Sequence, residues 1–271
     1  MKYLFFFYLL SISLTAQIRG VVKDSISGEP IPFVNIWVEN ETIGTMSDAD
    51  GTFYLEASNQ KNIVISVLGY ERKVLKGTEV SEVLLRPMTY DLREVVILNK
   101  KQSKQIEIGE IKDAIFQSFD NGPKIEAKFF PYKASYNKTK FLKEVTIFTD
   151  SRIEDATIKL HFYSVDENGF PGEELLTKDF VVTLKKGVLK HRYSISQFDL
   201  VFPENGMFVA YEKLLIESNK TGNKYQPYVL YNYVDRDFFY TYAYGKWSKQ
   251  SSENSEKISV YEPSINLILT N

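Results

Sequence analysis

The sequence predicts an all-β protein made of two sandwiches. Three observations carry that prediction. Short β-branched and aromatic runs alternate with turn residues from Ile18 to about Leu98, longer runs of the same kind resume near Ile125, and no cysteine exists to staple a loop-rich fold instead. With 271 residues, 44% of them hydrophobic and 14% aromatic, the chain is long enough to bury two cores.

The chain opens on "MKYLFFFYLLSISLTAQ". Lys2 precedes an apolar run from about Tyr3 to Leu14, and small residues end at Ala16, which is the layout of a secretory signal peptide. The run is shorter than the roughly 20 residues a membrane-crossing helix needs. Residues 1–16 are therefore expected to be a cleaved signal, and the mature chain an exported protein of the periplasm or cell surface without a transmembrane segment. Export without disulfides fits a bacterial envelope and leaves stability to core burial.

Residues 17–98 hold seven candidate strands, "IRGVVKD", "PFVNIWVEN", "TIGTMS", "GTFYLEA", "NIVISVLGY", "ERKVLK" and "SEVLLRP". A period of two puts Val34, Ile36 and Val38 on one face, and Phe53 with Leu55 on another, so these are core candidates. Between the third and fourth runs, Asp48, Asp50 and Gly51 read as a structural turn. Asx side chains bond nearby amides there, and glycine supplies a positive φ. A calcium loop counted from Asp48 would need a bidentate glutamate at its twelfth position, where Asn59 stands.

"SGEPIPFVNI", "GTMSDADGTFYL" and "ISVLGYE" together resemble the carboxypeptidase-regulatory-like domain common in exported Bacteroidetes proteins. The resemblance implies a seven-stranded transthyretin-like sandwich over about residues 17–98. It does not imply carboxypeptidase chemistry. A zinc site of that kind needs a histidine and glutamate three residues apart, and His161 and His191 are followed at that spacing by Ser164 and Ser194. In many relatives the module precedes the plug of a TonB-dependent transporter, and "YDLREVVI" at Tyr90–Ile97 resembles the segment that closes it there. The remainder of the chain is too short for a transporter barrel, although that segment could add a strand to another protein's sheet edge.

Residues 99–124 read as a polar linker and a short helix, because Ile108, Ile111, Ile115 and Phe119 recur at helical spacing before "DNGP". Residues 125–271 read as a second antiparallel sandwich, with a jelly roll as one form it could take. Its runs are "KEVTIFTD", "ATIKLHFYSV", "DFVVTL", "VLKHRYSIS", "GMFVAYEKLLIES" and "YVLYNYV". Ile158, Leu160 and Phe162 alternate with Lys159, His161 and Tyr163, as in a strand with one buried face. His161 is expected on the polar face, and Glu173 and Glu174 in a solvated turn.

No catalytic residue, cofactor-binding residue or metal ligand is assigned. There is no cysteine, no G-x-S-x-G serine and no phosphate-binding glycine loop. The near-balanced charge, 33 basic against 35 acidic residues, argues against a nucleic-acid partner. The stretch above background is aromatic. In "DFFYTYAYGKW", the residues Tyr240, Tyr242, Tyr244 and Trp247 are either sandwich packing or a ligand or partner surface, both of which suit tyrosine. The sequence thus suggests an exported, non-enzymatic binding or assembly protein whose partner is an envelope protein or a glycan. The alternative is a glycan-binding or glycoside-processing protein that uses the second sandwich.

Overall fold

The structure, a computed structural model, describes residues 17–88, 103–109, 116–117, 123–243, 245–249 and 260–271. The expected signal segment, Tyr90–Ile97, Tyr244, and Ile111, Ile115 and Phe119 of the expected helix lie outside the described residues.

Each of the seven N-terminal runs forms a strand: β1 (Gln17–Asp24), β2 (Asn35–Val38), β3 (Gly44–Met46), β4 (Thr52–Glu56), β5 (Asn62–Ser66), β6 (Lys73–Lys76) and β7 (Glu82–Leu85). They build a three-stranded sheet, β4-β1-β7, and a four-stranded sheet, β3-β2-β5-β6. Strand β7 runs parallel to β1, and the other pairs are antiparallel. The period of two fills the core between the sheets, where Val34, Ile36, Val38, Phe53 and Leu55 are all at most 2% exposed.

The second sandwich begins with β8 (Gln105–Gly109), β9 (Phe116–Gln117), β10 (Ile125–Phe130), β11 (Phe141–Ser151) and β12 (Ala156–Val165). It continues through β13 (Pro171–Glu174), β14 (Phe180–Leu184), β15 (Gly187–Ser194) and β16 (Met207–Lys213). The small hairpin β17 (Lys220–Thr221) and β18 (Lys224–Tyr225) follows. The chain closes with β19 (Tyr228–Val234), β20 (Phe239–Ala243), β21 (Lys246–Lys249), β22 (Val260–Pro263) and β23 (Ile265–Thr270). One sheet runs β13-β12-β16-β10-β20-β21 with β14 also on β12. Its partner runs β22-β19-β11-β23-β8 with β15 on β11 and β9 on β19. Ile158, Leu160, Phe162, Val145, Ile147, Leu267 and Leu269 lie in the core between them.

One expectation needs correcting. The start of the expected helix is strand β8, in which Leu267 of β23 pairs with Ile108. The segment "QIEIG" also alternates with period two, and Ile106 and Ile108 both pack on the core. Pairing supplies β23 with backbone partners that a helix, whose bonds are internal, would leave unmade. The segment "VDRD" joins β19 to β20, which lie in different sheets: β19 pairs with β22, β11 and β9, and β20 with β10 and β21. The turn carries the chain from one sheet to the other.

The first sandwich lies against the outer face of the β12-β16 region. Met46 packs with Leu214 and Ile216, and Phe33 and Val181 close around them. Phe33 holds φ 56°, unusual for a bulky residue, and its carbonyl receives the Lys159 ammonium at 2.9 Å. Strand β12 is therefore covered on both faces. Lys159 and His161, expected on a solvated face, are 2% and 7% exposed.

Candidate functional site

Where the two sandwiches meet, a cleft of about 910 Å³ opens. Its walls come from β2 and β5 on one side, and from β12, β16, β20 and β21 on the other. Alternation decides which side chains face it. The inward residues of β12 and β16 fill the sandwich core, so Lys159, His161, Tyr163 and Glu212 point outward toward the first sandwich.

These outward charges form one buried network. His161 donates from Nδ1 to Glu174 Oε2 at 2.9 Å and from Nε2 to Glu212 Oε2 at 3.2 Å. Asn35 of the first sandwich donates to Glu212 Oε1 at 2.5 Å. Lys159 adds an ion pair to Asp179 at 2.9 Å. Burial alone would pull the imidazole pKa down, but the two carboxylates that accept its protons push it up to about 9. Burial acts on Glu212 in the opposite sense and is overcome by His161, Lys159 and Asn35, which hold its carboxyl below the usual range. Glu174 is therefore no solvated turn residue, and its other oxygen accepts the Phe162 amide at 2.9 Å.

Aromatic rings stand above this floor. Tyr163 stacks on His161 with centroids 5.6 Å apart and meets Trp247 edge-on at 5.5 Å. Tyr242 lies 5.3 Å from Trp247, and Trp37 enters from the first sandwich. Tyr242 and Trp247 are half-buried in the cleft, whereas Tyr240, on the same face of β20, is buried against Phe208 and Phe170. Sequence patterning pointed to Tyr242 and Trp247. It missed Trp37, Tyr163, His161, Lys159, Asp179 and Glu212. The available signal was a charge inside a continuous apolar strand, as Glu212 is in "MFVAYEK".

Asp48, Asp50 and Gly51 do not line the cleft and form the corner between β3 and β4. The Gly51 amide bonds Asp48 O at 2.9 Å, and Asp50 Oδ1 accepts from the Thr52 amide and hydroxyl at 3.0 and 2.6 Å. Gly51 holds φ 77°. Among the described residues, no group of three or more histidine, aspartate or glutamate side chains is placed to hold a metal.

A family model for the CarboxypepD_reg-like domain matches residues 18–97. The TonB-dependent receptor SusC of Bacteroides thetaiotaomicron is 38% identical over 99 residues, which is 35% of this chain and 10% of that protein. The chain thus spans about a tenth of the length of that relative. Among solved structures, the cysteine protease and lectin-like domains of Cwp84 from Clostridium difficile match at TM-score 0.44 and 14% identity, over 84% of this chain and 45% of that one. The infectious bursal disease virus VP2 subviral particle matches at TM-score 0.28 and 10% identity, over 93% and 60%. At such scores neither structural likeness carries an argument. The family match applies to the N-terminal sandwich and not to the rest of the chain. Residues 18–97 are a CarboxypepD_reg-like domain of Bacteroidetes type.

Proposed function

We propose that the protein is an exported, non-enzymatic binding protein of the bacterial envelope, that residues 1–16 are its signal peptide, and that its ligand seat is the cleft between the two sandwiches. The observation that carries this reading is the pairing of half-buried aromatic rings with a preformed polar floor, contributed by two modules to one opening. The domain shared with a TonB-dependent receptor supports the envelope setting.

The chemistry of the floor favours binding over turnover. A glycosidase needs one carboxylic acid kept protonated to donate to the leaving oxygen. Here Glu174 and Glu212 both bond the same imidazolium, and Glu212 is held below the usual carboxylate range. They act as a brace for His161. Two measurements test the reading. Fractionation of expressing cells should place the protein in the envelope with Gln17 as its first residue. Purified protein should turn over neither peptide nor glycoside substrates. Turnover that disappears in Glu212→Gln would overturn the assignment.

A further inference from the structure

Taking the cleft as the ligand seat, we propose that it binds a saccharide, a neutral hydroxyl-rich ring held between Trp37 of the first sandwich and Tyr242 with Trp247 of the second. Three observations lead there.

First, the charges of the lining are matched. Lys159 pairs with Asp179, His161 with Glu174 and Glu212, Lys124 with Glu126 at 3.0 Å, and Glu41 with Lys61 at 2.6 Å, while Lys246 sits at the exposed rim. Inside the cleft, beyond the solvated Lys246 at its rim, a phosphate or a charged peptide would have to break an existing pair to gain a partner, which costs more than it returns. An uncharged ligand leaves the pairs intact and uses their spare lone pairs. Second, Asp179 lines the cleft, and its ion pair with Lys159 at 2.9 Å holds its carboxylate in place as a fixed acceptor. Such an acceptor gains from a donor hydroxyl. Third, half-buried rings line both walls of the cleft, Trp37 on one side and Tyr242 with Trp247 on the other. The face of an aromatic ring is electron-rich and attracts the polarised C–H groups along one side of a sugar ring, and Tyr163 and Tyr242 brace Trp247 so that little freedom is lost on binding.

The test is built into the composition. The chain has two tryptophans, Trp37 and Trp247, and both line this cleft, so tryptophan emission, excited at wavelengths its 18 tyrosines do not absorb, reports on it alone. Purified protein is titrated with neutral glucose, xylose and mannose oligosaccharides, and in parallel with uncharged peptides of similar size. The expected result is a saturable emission change with at least one oligosaccharide. Trp247→Ala should weaken that binding by about tenfold or more, as should Asp179→Asn, while Trp247→Tyr keeps a stacking face and retains most of it. Thermal melts establish that each variant is folded, and Trp37→Ala on the opposite wall serves if Trp247→Ala is not. Peptides that bind through Trp247 while every oligosaccharide fails would overturn the saccharide class and leave the cleft as ligand seat. Neither class perturbing the emission, together with no Trp247-dependent capture from envelope extract, would overturn both readings.

Discussion

At Gly51 a single hydrogen atom decides the corner. A Cβ there would lie 2.7 Å from the Val22 carbonyl and would force a side chain into φ 77°. Gly51→Ala should therefore lower stability by about 1 kcal/mol or more in chemical denaturation. A chelator should leave the wild-type melting temperature unchanged, because the Asp50 carboxylate bonds the amide and hydroxyl of Thr52 and the Asp48 carboxylate accepts a backbone bond from Glu217. His161 decides the floor. Its pKa rises from 6.5 to about 9 on folding, so the stability it contributes is fully present below pH 6.5 and is lost as pH climbs through 9. Glu212 acts on the other side, since a depressed carboxyl contributes above its ordinary pKa of 4.5 and loses that contribution in acid. Denaturation followed across pH should show a stability maximum between those limits. His161→Gln should flatten the alkaline limb and cost about 3 kcal/mol or more at neutral pH, because two buried carboxylates then lose the cation they share.

Strand β20 shows how one element serves both core and site. Tyr240 and Tyr242 share a face, yet Tyr240 falls opposite Ala127 of β10, under the rings of Phe208 and Phe170, while Tyr242 lies one repeat further along, where the cleft opens. Tyr240→Ala should cost about 3 kcal/mol or more, as large-to-small changes in aromatic cores do. Tyr242→Ala should cost less than half of that and instead perturb binding in the cleft. Paired thermal melts check the contrast, and equal losses in the two variants would remove Tyr242 from the site. Strand β8 carries a related lesson. Its isoleucines satisfy helical and extended periodicity alike, and the unpaired edge of β23 selects the strand.

Across the whole molecule, the two sandwiches are joined by the Met46, Leu214 and Ile216 contact and by polar bonds from Asn35 and Phe33 to Glu212 and Lys159. Such a junction should make them unfold together, with one calorimetric transition at neutral pH. Asn35→Ala removes a bond across the junction without touching either core, and should lower the melting temperature by a few degrees while broadening or splitting that transition. A single sharp transition at the wild-type temperature would mean that the bond contributes nothing to coupling. The all-β class, the seven N-terminal strands, their core residues and the domain at residues 18–97 were all legible in the chain, because alternation and turn chemistry are local and repeat every few residues. The candidate site was legible only in Tyr242 and Trp247. His161 and Lys159 looked solvated on their own strand, and no local pattern reveals that a second module covers them. Asn35 and Glu212 stand 177 residues apart and meet through packing of one sandwich on the other, so burial, ion pairing and the cleft itself were decided by tertiary structure. The reason is physical: a strand's period states which side chains share a face, and what that face meets depends on the rest of the chain.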